Sequence, residues 1–219
     1  MDVALTWVKK APRGVTGDAI LQSNAMADAD IQVIIAVLGG DVDRYAELVD
    51  RYQTPAYHLA YSLLGHAEDA RDASQEAFLR AYQSLAQFRR QAKFSTWLYR
   101  IVVNKCMDMA RQHAKRIRPQ LVAGDEPGED GSWFLDVPDP AAGPGERTMN
   151  RELARRLSQA IATLPMQQRT ACALHYLQGC SLAEAAGIMR CRLGTVKSHL
   201  FRATARLRTQ LGPWLKEEA

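Results

Sequence analysis

The chain has 219 residues and a formal net charge of +4, which at about 150 residues per domain allows one or two domains with real cores and no need of disulfides. With 47% hydrophobic and 24% charged residues it fits a soluble folded protein and excludes a disordered tail or a collagen-like chain, while 7% aromatics disfavour an all-β sandwich. The total conceals an alternation: residues 41–76 carry eight acids against three Arg, 89–118 nine bases against Asp108 alone, 119–146 seven acids and no base, and 190–216 seven bases and no acid.

Residues 1–25 show no regular pattern and read either as a disordered extension or as sequence ahead of the true start. From Asp28 onward, Ile31, Ile34, Ile35 and Leu38 recur at helical spacing until Gly39 and Gly40 stop them. A second helix carries Tyr45, Leu48, Val49, Tyr52, Tyr57, Leu59, Leu63 and Leu64, with Pro55 expected to bend or restart it and Gly65 to end it. Ala67–Phe88 reads as a third helix and Phe94–His113 as a fourth. Residues 119–146, with five Pro and five Gly, have linker composition. Helices resume near 149–163, 166–178, 181–189 and 195–211; Pro165 suits a first turn, Gly179 a helix end, and Ser181 with Glu184 three residues on a capping box. No alternating run of strand length occurs, so the expected fold is all-α, two helical domains joined by a flexible acidic linker. The expected boundaries are 1–27 for the extension, 28–116 for the first domain, 117–148 for the linker, 149–212 for the second domain and 213–219 for a tail.

Four Cys at 106, 172, 180 and 191 are too few and too clustered for a secreted disulfide framework. The longest apolar run, residues 31–38, falls well short of the roughly 20 residues a membrane span requires. Lys9, Lys10 and Arg13 stand where a secretory apolar core would begin. A cytoplasmic protein with no membrane insertion is expected.

The most specific signal closes the chain. Two short helices around a tight turn, 181–189 and 195–207, match a helix-turn-helix, whose second helix enters the DNA major groove. Val196, Leu200, Ala203 and Leu207 share one face and pack inward. Arg192, Thr195, Lys197, Ser198, His199, Arg202 and Arg206 are left to donate to phosphates and base edges, with no acid to repel them. An ordinary helical hairpin with a basic surface is the competing explanation.

Residues 88–116 interleave Arg89, Arg90, Lys93, Arg100, Lys105, Arg111, Lys115 and Arg116 with Phe88, Phe94, Trp97 and Tyr99. Cations beside rings suit single-stranded nucleic acid, whose phosphates take the charges and whose unstacked bases take the rings or pockets. Phe94, Trp97 and Leu98 can equally be core. Asp69, Asp72, Gln75 and Glu76 form a polar stripe at three- and four-residue spacing; nucleic acid would be repelled by it, so a basic protein surface is the natural partner.

With these residues in place the chain resembles the sigma-70 family of RNA polymerase sigma factors, specifically the extracytoplasmic-function (ECF) type with regions 2 and 4 alone. Residues 73–82 (ASQEAFLRAY) with Asp72 resemble its core-polymerase-binding stretch, 94–108 its −10-recognising helix, and 164–207 its −35-reading domain. The resemblance spans about 28–116 and 150–211, in family order. It implies that Asp72, Gln75 and Glu76 contact the polymerase clamp. Asn104 and its neighbours, with the 84–93 loop, would hold the non-template −10 strand, and Lys197, Ser198, His199 and Arg202 would face the −35 duplex. It further implies core RNA polymerase, promoter DNA and an anti-sigma factor as partners, no cofactor and no enzymatic activity.

Two departures stand out: His199 where the family usually has Arg, and Cys172, Cys180 and Cys191 where it has small or apolar residues. Cys172, His175, Cys180 and Cys191 could supply a three-Cys, one-His zinc set, but no pair has the tight C-x2-C spacing, and Cys also serves as a small hydrophobe. Two rival functions follow from the residues: a helix-turn-helix regulator that binds duplex DNA without polymerase, and a Cys/His metal or redox sensor. The acidic linker is expected to thread a basic protein channel rather than touch DNA.

Overall fold

The computed structural model describes the backbone at 17–117, 156–157 and 159–217, and side chains at 26–113, 156–157 and 159–212. Every regular element among the described residues is helical. In chain order these are α1 (Gly17–Leu38), α2 (Tyr45–Leu64), α3 (Ala67–Gln83), α4 (Phe94–Ile117), α5 (Met166–Cys172), α6 (Leu182–Met189) and α7 (Leu193–Glu217). Short 3-10 turns at Val42–Arg44 and Leu85–Gln87 precede α2 and follow α3, and a π-helical turn at Ala173–Leu177 follows α5.

The first group packs α2, α3 and α4 against one another with α1 alongside. Its core holds Ile34, Leu48, Leu59, Leu63, Leu85, Phe94, Leu98 and Val102, each almost fully buried and each contributing roughly 1.5–3 kcal/mol by leaving water. α3 meets this core through the small residues Ala70, Ala73, Ala77 and Ala81, which lets its backbone approach closely. Gly65 ends α2 at φ 78°, a left-handed conformation that suits glycine, with its N–H donating to Tyr61 O. The second group packs α5, α6 and α7 around Leu164, Leu174, Ile188, Val196, Leu200 and Ala203.

Several elements differ from expectation. α1 begins at Gly17, ahead of the expected 28. α2 continues through Pro55, because Tyr52, Ala56 and Leu59 on either side are all core and that burial outweighs the roughly 3 kcal/mol a mid-helix proline costs. α3 stops at Gln83 instead of reaching Phe88; Ser84 closes it by donating from its own N–H to Arg80 O. α4 runs to Ile117, and the stretch expected as one helix over 166–178 divides at Ala173 into α and π turns. α7 starts at Leu193 and reaches Glu217, past the expected 211. The acidic linker and most of the helix expected near 149–163 lie outside the described residues.

Candidate nucleic-acid interface

Ser181 is the N-cap of α6: its Oγ accepts from Glu184 N at 3.2 Å while its own N–H donates to Glu184 Oε2 at 2.8 Å. Both halves of the expected capping box are therefore present. Glu184 is half-buried, which by itself would raise its pKa, yet the Ser181 and Lys93 partners more than compensate and hold the carboxyl below its usual range. Arg190 makes the turn at φ 51°, unusual for a residue with a side chain, and α7 starts three residues later.

On α7, Val196, Leu200 and Ala203 are buried as expected, and Thr195, Lys197, Ser198, Arg202 and Arg206, with Arg192 in the turn just ahead of the helix, are exposed. Ser198 Oγ donates back to Gly194 O at 2.9 Å, and its lone pairs stay available. His199 differs: it is half-buried and its Nδ1 is sealed from solvent with no hydrogen-bond partner, so it flanks the basic face instead of lying at its centre. Phe201, absent from the expected set, is 75% exposed. It falls outside the Val196, Leu200, Ala203 stripe, so helical spacing alone could have placed it on the outer face, where an apolar ring suits a thymine methyl.

The second constellation straddles α4 and the loop before it. Trp97 is half-buried, its ring 5.4 Å from Phe88 and 5.8 Å from Phe94, and Phe94 is itself 5.5 Å from Tyr52. Phe94 is thus core and Trp97 core-edge. Arg89, Arg90 and Lys93 are exposed on the loop, Arg90 in the left-handed region at φ 57°. Arg100 and Asn104 are half-buried on α4. Arg111 is exposed and bonds Asp108 at 2.6 Å, an ion pair that a phosphate would have to displace.

On α3, Asp72 and Gln75 are exposed, Asp69 lies 3.7 Å from His113 Nδ1, and Glu76 receives Arg80 Nε at 2.8 Å. A groove beside this stripe is lined by Tyr57, His58, Arg71 and Gln75.

Cys172 and Cys180 are buried and burial pushes both thiols up to about 12. His175 Nδ1 donates to the Cys180 carbonyl at 2.9 Å. No group of three or more metal-ligating residues converges among the described residues, so Cys172, His175, Cys180 and Cys191 do not make the zinc set that their order in the chain allowed; two of them are packing residues.

Residues missed from sequence join the two helical groups. Arg169 Nη1 donates to Leu63 O at 2.7 Å and Gln178 Nε2 to Pro55 O at 3.2 Å, across 106 and 123 residues of chain. No local pattern marks either residue.

Comparison with known proteins places these features in one family. Residues 48–116 match Sigma-70 region 2 and residues 154–207 match Sigma-70, region 4. The ECF RNA polymerase sigma factor SigW of Bacillus subtilis is 35% identical over 173 residues, 78% of this chain and 91% of that protein. The RNA polymerase sigma-H factor of Pseudomonas aeruginosa is 35% identical over 199 residues, 87% and 97% respectively. The ECF RNA polymerase sigma-E factor of Escherichia coli is 33% identical over 191 residues, 84% and 96%. Two solved structures share the fold. CnrH, in complex with the cytosolic domain of CnrY, has a TM-score of 0.61 and 22% identity, covering 84% of this chain and 98% of that one. The sigma factor RpoE, in complex with the anti-sigma factor NepR from Bartonella quintana, has 0.56 and 24%, covering 76% and 97%.

Proposed function

The chain belongs to the sigma-70 family as an RNA polymerase sigma factor of the ECF type, and on that premise we propose how its residues divide the work. Residues 28–116 bind core polymerase and hold the melted −10 strand, and residues 149–212 read the −35 duplex, with 117–148 as the connection between them. Asp69, Asp72, Gln75 and Glu76 present an acidic face to a basic surface of the polymerase clamp. Arg89, Arg90, Lys93, Arg100 and Arg111 hold strand phosphates, while Trp97 and Asn104 meet bases taken out of the stack. Arg192, Thr195, Lys197, Ser198, Arg202 and Arg206 dock α7 in the major groove, with His199 at the rim.

The contribution to initiation is binding free energy and no covalent chemistry. Unstacking costs a few kcal/mol per step, offset by the pocket and phosphate contacts made to the exposed strand. The protein acts in the cytoplasm beside its polymerase, and among the described residues no helix is long and apolar enough to cross a membrane. An anti-sigma factor controls it, as the neighbours RpoE and CnrH are held in complexes with NepR and CnrY.

The observation that carries this reading is that one chain holds, in order, a region-2 and a region-4 match, each bearing a basic face of different character. The regulator alternative explains α6–α7 alone and leaves the aromatic-basic helix without a use. The test is to add the pure protein to sigma-free core polymerase and measure promoter-dependent transcription. Transcription from a subset of genomic promoter fragments is expected; none from any fragment, alongside tight duplex binding by the protein alone, overturns it.

A further inference from the structure

We propose that His199 is a neutral clamp on duplex DNA: with Nδ1 sealed inside the protein, it presents Nε2–H to one phosphate and fixes the seat of α7 in the groove without adding charge. This rests on the reading of α7 as the duplex-facing helix made above, and deepens it.

The outer face of α7 has two flanks. Thr195, His199, Arg202 and Arg206 follow one another at spacings of four, three and four residues, so they form a single stripe along the helix. Lys197 and Phe201 lie on the other side of Ser198. A helix in the major groove runs between two phosphate backbones, and each flank faces one of them. Within its stripe His199 alone is half-buried, whereas Thr195, Arg202 and Arg206 are exposed.

The buried side of the ring decides where its proton sits. Nδ1 is sealed from solvent and has no hydrogen-bond partner among the described residues. A neutral imidazole carries one N–H and one bare lone pair. A proton on Nδ1 would be a donor with nothing to accept it, and among buried groups orphan donors are rarer than under-satisfied acceptors. The proton therefore sits on Nε2, the nitrogen that is not sealed.

Seating half of the ring also restricts its side-chain torsions, so little rotamer freedom remains to be lost when a phosphate accepts the bond. An arginine at this position would bring a longer, permanently charged fork, and a phosphate neutralised by it would steepen the salt dependence by about one. His199 supplies direction instead. Phosphate contacts set register and orientation on the duplex, and Arg202 and Arg206 of the same stripe provide the charge.

The test uses the full chain with His199→Ala, His199→Gln and His199→Arg, and with Lys197→Ala and Arg202→Ala as references. Binding to a random-sequence duplex is titrated at several salt concentrations, since a phosphate contact needs no particular sequence, and circular dichroism melts confirm that every variant is folded. His199→Ala should bind about tenfold more weakly with an unchanged salt slope, as expected for the loss of one uncharged donor to a charged acceptor. His199→Gln, which keeps an N–H donor, should recover most of that loss, and His199→Arg should steepen the slope by about 1. Proton–nitrogen correlation spectra of the histidine rings, with His199 assigned by its absence from His199→Gln, should show the Nε2–H tautomer. Wild-type affinity in His199→Ala, a slope reduced in that variant by about 1 as in Lys197→Ala, no gain of Gln over Ala, or an Nδ1–H tautomer overturns the inference. If Lys197→Ala and Arg202→Ala weaken binding while the His199 variants do not, the clamp fails and the reading of α7 stands. If none of the variants changes duplex affinity, the placement of α7 on DNA fails and the clamp with it.

Discussion

The Tyr52 hydroxyl donates to Asp30 Oδ2 at 2.6 Å, joining α2 to α1 through a carboxylate that is only 1% exposed. Arg51 donates to the other oxygen. The position of α1 therefore depends on one buried acid with two partners, and burial with Asp30 alongside keeps the Tyr52 phenol protonated well above its ordinary range.

Removing that acid should leave the Tyr52 hydroxyl buried and unsatisfied. Asp30→Ala is expected to lower unfolding free energy by about 2–3 kcal/mol, and Asp30→Asn by less, since an amide oxygen still accepts. Urea denaturation followed by circular dichroism checks the order; equal, negligible losses would show that the network does not hold α1.

On the polymerase-facing side, Asp72 is exposed and makes no core contact, so charge reversal should change binding without changing the fold. Asp72→Arg is expected to abolish association with core polymerase in a pull-down while leaving the melting temperature within about 2 °C, the shift that a ΔΔG of up to 0.5 kcal/mol produces at a surface site. Full retention of polymerase affinity would refute the assignment of α3.

Lys197 and Arg202 are both exposed on α7, but a lysine contributes mainly a point charge, whereas a guanidinium can also fork onto guanine. Lys197→Ala should weaken duplex binding on all sequences alike and reduce the salt slope by about 1, and Arg202→Ala should in addition relax sequence preference by about 1–3 kcal/mol at one position. Binding isotherms at several salt concentrations with promoter and scrambled duplexes distinguish the two.

Glu184 is held ionised below its ordinary value of 4.5. The unfolded chain therefore binds more protons than the folded one in that range, and the stabilisation is complete above about pH 4.5 and lost as the pH falls through the lower folded value. The urea midpoint of wild type should exceed that of Glu184→Gln at pH 6, and the gap should shrink steadily below pH 4.5. A gap independent of pH would mean that the carboxylate charge plays no part.

The cysteines differ in access. Cys106, Cys172 and Cys180 are buried with their thiols pushed up to about 12 by desolvation, whereas Cys191 is partly exposed. Iodoacetamide at pH 7.5 should alkylate Cys191 first and spare the other three until the chain unfolds, as read by peptide mass spectrometry. Rapid modification of Cys172 would revive a sensing role.

Sequence by itself determined the features that depend on residues close in the chain. Helical spacing identified the stripe of Val196, Leu200 and Ala203, the Ser181–Glu184 box follows from a spacing of three, and Gly65 and Gly179 mark helix ends because their backbone is left-handed. The two basic faces were legible for the same reason, since charge and periodicity are local. Tertiary structure decided what depends on distant partners: that Pro55 stays within α2 because its neighbours are core, that Phe94 is buried while Trp97 sits at the core edge, and that His199 turns one nitrogen inward. It also brought Glu184 to Lys93 and Gln178 to Pro55, because packing one helical group on another selects partners by shape and charge across space, which no spacing along the chain records.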